Sequence, residues 1–299
     1  MPEKKARVLI VGSQGRLAGS LLKCWEKSHE VTGLARQALD VSDLSSLPRI
    51  LGDLDFDVLV NGTGLTDVDR CESAREEAHI VNALAPGVLA KCASRQGARL
   101  IHFSTDYVFD GKKREPYREE DTPSPLGFYG KTKLEGEWRA LEQDARHVVV
   151  RISWVFGQAK TSFADSLIER AMREDRVEAI EDKFSCPTSA EDAAKWLEIF
   201  FDPLVKGGLY HACNSGQCSW REYGAKALEF AHEVGLKLRT NQVEPIRLAE
   251  MKQFIAQRPV FSMLCTRKLT ASTGMTPRHW HEALREYIIK KYAPISSAS

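Results

Sequence analysis

The stretch that most limits the possible fold is "RVLIVGSQGRLAGSLLKCWEK", residues 7–27. Its aliphatic run reads as a buried strand, and Leu17, Leu21, Leu22 and Trp25 then recur at helical spacing. Only a short glycine turn separates the two. Strands that alternate with helices in this way argue for a parallel sheet covered on both faces. The same rhythm continues in strand-like runs at 30–36, 56–64, 98–105 and 147–157, with helical patterns at 76–94 and from 127 onward. Pro86 predicts a kink or local break in the first of those helices. The expected architecture is α/β: a Rossmann-type doubly wound parallel sheet with right-handed crossovers. Beyond residue 157 the rhythm loosens into amphipathic helices with a short strand at "GLYHACN", which predicts a smaller α+β lobe. The expected division is 1–157, with returning segments around 180–213, for the dinucleotide-binding domain. Residues 158–179 and 214–295 form the lobe, and 296–299 a mobile tail.

Composition removes several function classes. Forty-two basic and 41 acidic residues leave a net charge of +1, which gives no basic face for nucleic acid. The basic residues before the first apolar run resemble a secretion signal, but that run is too short and ends in glycine. No segment approaches the roughly 20 apolar residues of a membrane span. Seven cysteines, odd in number and without a CxxC pair, read as small buried residues of a reducing cytoplasm. "HWH" at 279–281 reads as surface decoration of a C-terminal amphipathic segment, and no metal site is expected.

The chemistry-bearing residues gather where strands end. Gly12 and Gly15, with Ala18 in the third small position, form a GxxGxxA turn between strand and helix. Such a turn brings backbone amides close to a pyrophosphate at a helix N-terminus. The second strand ends in Ala35-Arg36 where an NAD site usually carries a carboxylate. An arginine there suits a 2′-phosphate, so NADP(H) is preferred while NAD(H) is admitted. Asp40 follows, as an adenine-side contact or as a turn residue. In "GFYGKTKLEGE", Tyr129 and Lys133 stand one helical turn apart. A neighbouring ammonium is expected to lower the phenol's pKa and fit it to protonate a carbonyl oxygen. Thr105, at the end of another strand, can hydrogen-bond the same oxygen.

These residues sit in longer matching stretches: "GSQGRLAG", "LDVSD", "VNGTGLTDVDRCE", "VNALAP", "STDYVFDG", "PYREEDTPSPLGFYGKTKLEGE", "RISWVFG", "CPT" and "QRPVFSML". The sequence resembles the dTDP-4-dehydrorhamnose reductase family of the extended short-chain dehydrogenases/reductases. The resemblance implies a catalytic trio of Thr105, Tyr129 and Lys133. It also implies cofactor contacts from Gly12, Gln14, Gly15, Arg16, Leu17, Arg36, Asp40, Val41, Gly62, Thr63, Gly64 and Phe103, with Tyr129 and Lys133 reaching the nicotinamide ribose. Thr105, Asp106 and Trp154 would meet the sugar nucleotide; Trp154 could equally be core packing. Arg258 is a candidate for the diphosphate or for a surface salt bridge. Some positions depart from the family pattern. The usual "NF" reads Ser162-Phe163, the usual "DQ.G.PT" reads "DKFSCPT" with Lys183 and Ser185, and the usual "NAAAYT" reads "NGTGLT".

The expectation is a reductase that moves hydride from NADPH to the 4-keto group of a nucleotide-linked 6-deoxysugar, and the family admits a homodimer. Two other readings stay open. The regulatory β subunit of methionine adenosyltransferase resembles the same family and acts by association. An extended-family epimerase or dehydratase would keep NAD bound.

Overall fold

The computed structural model describes residues 5–293, so the expected tail at 296–299 lies outside the described residues. Strands β1 (Arg7–Val11), β2 (Glu30–Leu34), β3 (Val58–Asn61), β4 (Arg99–Thr105) and β5 (Val148–Ile152) are joined by a sixth, Gly208–His211. They lie in the order β2-β1-β3-β4-β5 with Gly208–His211 at the far edge, and every pairing is parallel.

Alternation along the strands splits the sheet's side chains between two cores. Val8, Ile10, Val58, Val60 and Ile101 face one, whereas Leu9, Val11, Leu59 and Leu100 face the other. Helices cover both faces, which is why the inner strands read as unbroken apolar runs. Strand β2 lies at an edge and leaves Glu30 and Thr32 exposed. A third core joins the helices Phe163–Ala171, Trp220–Glu233 and Trp280–Tyr292 around Phe156, Val177 and Val243. The helix Arg267–Thr273, placed by sequence in the second lobe, instead packs Leu269 into the core under the sheet.

Two departures from simple elements shape the site. The helix expected over 76–94 is α-helical at Arg75–His79, π-helical at Ile80–Leu84 and α-helical again at Ala85–Arg95. Pro86 offers no N–H to the carbonyl of Asn82, so the wide turn precedes it. In the helix Phe128–Leu141, a Cβ at Gly136 would overlap that same Asn82 carbonyl oxygen. Glycine there costs helix propensity and is repaid in close approach of the two helices. The run 147–157 also divides. After β5 the chain turns at Trp154, at φ +43° the only residue besides glycine with positive φ among the described residues, and Val155–Phe156 pairs with Thr188–Ser189.

Candidate active site

The chain order reverses between β1 and β3, and a crevice opens where their carboxyl ends part. Gly12 holds φ +76°, and a Cβ on it would stand 2.8 Å from Thr63 Cγ2. At Gly62 a Cβ would stand 2.6 Å from Ala18 Cβ. The two turns therefore meet at backbone distance because both are glycine. Gly15 is the N-cap of the helix Arg16–Trp25, which has no side-chain cap and no acidic residue in its first turn. That leaves its amide end suited to an anion.

Two cavities occupy the crevice. One, of about 350 Å³, is bounded by Gly12, Gln14, Arg36, Asp40 and Val41. The other, of about 470 Å³, runs from Arg16 and Leu17 past Phe103, Thr105, Asp106, Tyr129 and Lys133 to Trp154. They share Gly15, Gly62, Thr63, Gly64 and Lys160. Every sequence-predicted cofactor residue lies on one wall or the other, as do three of the four predicted substrate residues. A cavity of about 670 Å³ at the opposite end of the sheet is larger; Arg7 pairs with Asp57 there, His29 meets Glu198, and Arg99 is held by backbone carbonyls.

The three predicted catalytic residues come together at the end of β4. Thr105 and the Tyr129 phenol lie on the same cavity wall. Thr105 Oγ1 donates to Asp106 Oδ1 at 3.1 Å and accepts Tyr107 N at 3.2 Å. Lys133 Nζ donates to Phe103 O at 2.5 Å. Behind them, Glu137 takes Arg151 Nε at 2.8 Å, Arg151 Nη2 at 2.7 Å and Ser104 Oγ at 2.5 Å, all in the dry interior. This buried ion pair fastens the helix Phe128–Leu141 to β4 and β5. Asn82, in the π turn, accepts Leu65 N at 2.9 Å and donates to Thr132 Oγ1 at 3.3 Å. It thereby ties the Gly62–Gly64 turn to the same helix.

Two expectations need correction. First, the Tyr129 phenol is not made more acidic: burial pushes its pKa up, the nearby Thr105 hydroxyl opposes this, and Asp106 reinforces it. The Lys133 ammonium turns instead to the Phe103 carbonyl. Burial in turn lowers Lys133 to about 8, opposed by Glu137. The end of β2 carries Arg36 and no carboxylate of its own, and the turn after it brings Arg36 Nε to Asp40 Oδ2 at 3.0 Å, with Asp40 also accepting Ser42 N at 2.9 Å. Second, of the two readings of Arg258 the salt bridge is the one seen, and the residue stands outside both cavity walls. It is held by Asp69 at 2.6 Å, with its guanidinium stacked 3.4 Å over the Phe254 ring.

Sequence reasoning missed Lys160, which is exposed, has no recorded ion pair and borders both cavities. No motif marks it; it arrives on the loop that enters the second lobe. Tyr107 was also missed, although it follows Asp106 and packs edge-on to Tyr129 at 5.6 Å.

A Rossmann-type sheet with this glycine crevice and a Tyr-Lys pair beside it defines an NAD(P)H-dependent oxidoreductase of the extended short-chain type. Residues 6–293 match the family model described as the RmlD substrate binding domain, and the chain belongs to the dTDP-4-dehydrorhamnose reductase family. It is 34% identical to the dTDP-4-dehydrorhamnose reductase of Mycobacterium tuberculosis (strain H37Rv), covering 100% of this chain and 97% of that one. It is 32% identical to the spore coat polysaccharide biosynthesis protein SpsK of Bacillus subtilis, over 94% of this chain and 96% of the relative. The crystal structure of the Bacillus anthracis dTDP-4-dehydrorhamnose reductase in complex with NADP superimposes with a TM-score of 0.89 at 26% identity, covering 96% of this chain and all of that one.

Proposed function

We propose that the protein reduces the 4-keto group of a nucleotide-linked 6-deoxysugar with NADPH. The observation that carries this reading is the placement of Thr105, Tyr129 and Lys133 on one wall of a cavity continuous with the glycine crevice. The crevice fits a dinucleotide on its own features: the uncapped helix start at Gly15, the glycine contacts at Gly12 and Gly62, and the cationic Arg36 and Lys160 on the walls.

When bound, the reduced dinucleotide supplies the hydride. The chain's residues handle the proton. Burial keeps Tyr129 protonated at neutral pH, so the phenol is a donor in waiting. Donation is downhill once the substrate oxygen becomes an alkoxide, a stronger base than phenolate. The phenolate left behind is one helical turn from Lys133, whose ammonium can swing from the Phe103 carbonyl to meet it. Thr105 Oγ1 donates a hydrogen bond to Asp106 Oδ1, which fixes its hydroxyl beside the Tyr129 phenol on the cavity wall. In this arrangement Thr105 positions the acid, and anchoring the carbonyl falls to Tyr129 itself. Arg36 at the end of β2 supports the choice of NADPH, a 2′-phosphate competing with Asp40 for its guanidinium.

The test is a panel of nucleotide-linked 4-ketosugars incubated with NADPH, following loss of nicotinamide absorbance. Turnover of a dTDP-4-keto-6-deoxyhexose supports the proposal. Absence of turnover across the panel, with stable association to a synthetase partner, points to the regulatory reading.

A further inference from the structure

Lys183 is the oddest side chain in the molecule. It is 1% exposed, and its Nζ has no hydrogen-bond partner. An ammonium carries three donors, and burying it unpaired is expensive. Its nearest company is aromatic: Nζ stands 5.0 Å from the Tyr107 ring centroid and 5.3 Å from that of Trp154. Both rings form the wall of the catalytic cavity. Asp106 is the nearby opposite charge, but its oxygens are already taken by the hydroxyls of Thr105, Ser185 and Ser262. Cation–π attraction offsets part of the burial cost and leaves all three N–H groups without an oxygen.

A second observation at the same wall agrees. Trp154 holds a backbone conformation rare for a bulky residue, and its indole Nε1 is buried without an acceptor. Backbone strain of this kind clusters at ligand clamps. One wall of the cavity thus holds two unused donors and a ring on a strained hinge.

We infer that Lys183 is a specificity-determining residue: its ammonium, stored behind the Trp154 and Tyr107 rings, donates to an oxygen of the sugar when the substrate displaces Trp154. The inference rests on the reading of the site as a sugar-nucleotide reductase. It assigns the contact to the sugar and not to the diphosphate, because Lys183 packs on the Tyr107 ring, and that ring in turn meets the ring of Tyr129, the proposed proton donor to the sugar carbonyl.

The experiment compares Lys183→Met and Lys183→Gln with the wild type, measuring kcat and KM for a dTDP-4-keto-6-deoxyhexose, dTDP and NADP⁺ binding, and melting temperature. Methionine should raise the sugar-nucleotide KM about 10- to 100-fold, the range for a lost hydrogen bond to a charged group, with kcat changed far less. Glutamine, which keeps a donor, should recover much of that loss. Binding of dTDP alone and of NADP⁺ should be unchanged, and the methionine variant should melt no lower than wild type, since it removes an unpaired charge. An unchanged KM with a lower melting temperature makes Lys183 a structural cation and overturns the inference while leaving the reductase reading intact. Weakened binding of dTDP alone moves the contact to the phosphates and likewise overturns it. Failure of the wild type to reduce any ketosugar sinks the reductase reading, and this inference with it.

Discussion

Tyr129 acts in this account as a buried, protonated donor, which fixes what its removal should do. Tyr129→Phe should lower kcat about 10²- to 10⁴-fold, the range for a positioned general acid, while NADP⁺ binding by titration stays within a few-fold of wild type. A parallel loss of NADP⁺ affinity would mean that the phenol holds the cofactor and does not donate the proton. Lys133 sets a pH limit. Burial lowers it to about 8, so the stabilising ammonium is present below that pH and lost above it. Since kcat/KM reports groups of the free enzyme, its profile should hold near pH 7 and fall as pH rises through about 8. A profile still flat well above that value would remove Lys133 from the role given to it. Arg36 carries the cofactor choice: Arg36→Ala should reduce the preference for NADPH over NADH about 10- to 100-fold, as expected for losing a charge-assisted contact, measured as the ratio of the two kcat/KM values.

At the scale of elements, the helix Phe128–Leu141 is the part on which the site depends. Its register is set by Gly136 against Asn82 and by Glu137 against Arg151, both a turn or more from the reacting groups. Glu137→Ala leaves the Arg151 guanidinium buried without its carboxylate and should destabilise the fold by about 3–5 kcal/mol in urea unfolding. A cost below about 1 kcal/mol would show that the pair does not fasten the helix. The sequence made some of this legible and hid the rest for a physical reason. Gly12, Gly15, Tyr129 and Lys133 are readable because a turn conformation and an i,i+4 spacing are local. The π turn was half readable, since Pro86 announces a break without saying which kind. Lys160 and the burial of Lys183 could not be read, because each depends on how a segment beyond residue 157 folds back over the end of the sheet. The same limit explains the error on Tyr129, whose spacing from Lys133 was right but whose pKa answers to burial, a tertiary quantity.

For the whole molecule, the claim is that one crevice joins a dinucleotide-binding sheet to a sugar-binding lobe. Binding to the folded state alone must then raise stability by mass action. NADP⁺ at about 100 times its dissociation constant should add about 2.7 kcal/mol to unfolding, seen as a concentration-dependent rise in melting temperature. NAD⁺ at the same concentration should add less. The most direct test of the central claim follows the hydride itself. Wild-type protein would be incubated with NADPH deuterated at both C4 positions of the nicotinamide and a dTDP-4-keto-6-deoxyhexose, and the product examined by mass spectrometry and NMR. One deuterium should appear on C4 of the product sugar, and the product should be nearly absent with Tyr129→Phe over the same time. Unconsumed dinucleotide, or a reduced sugar carrying no deuterium at C4, would contradict the claim.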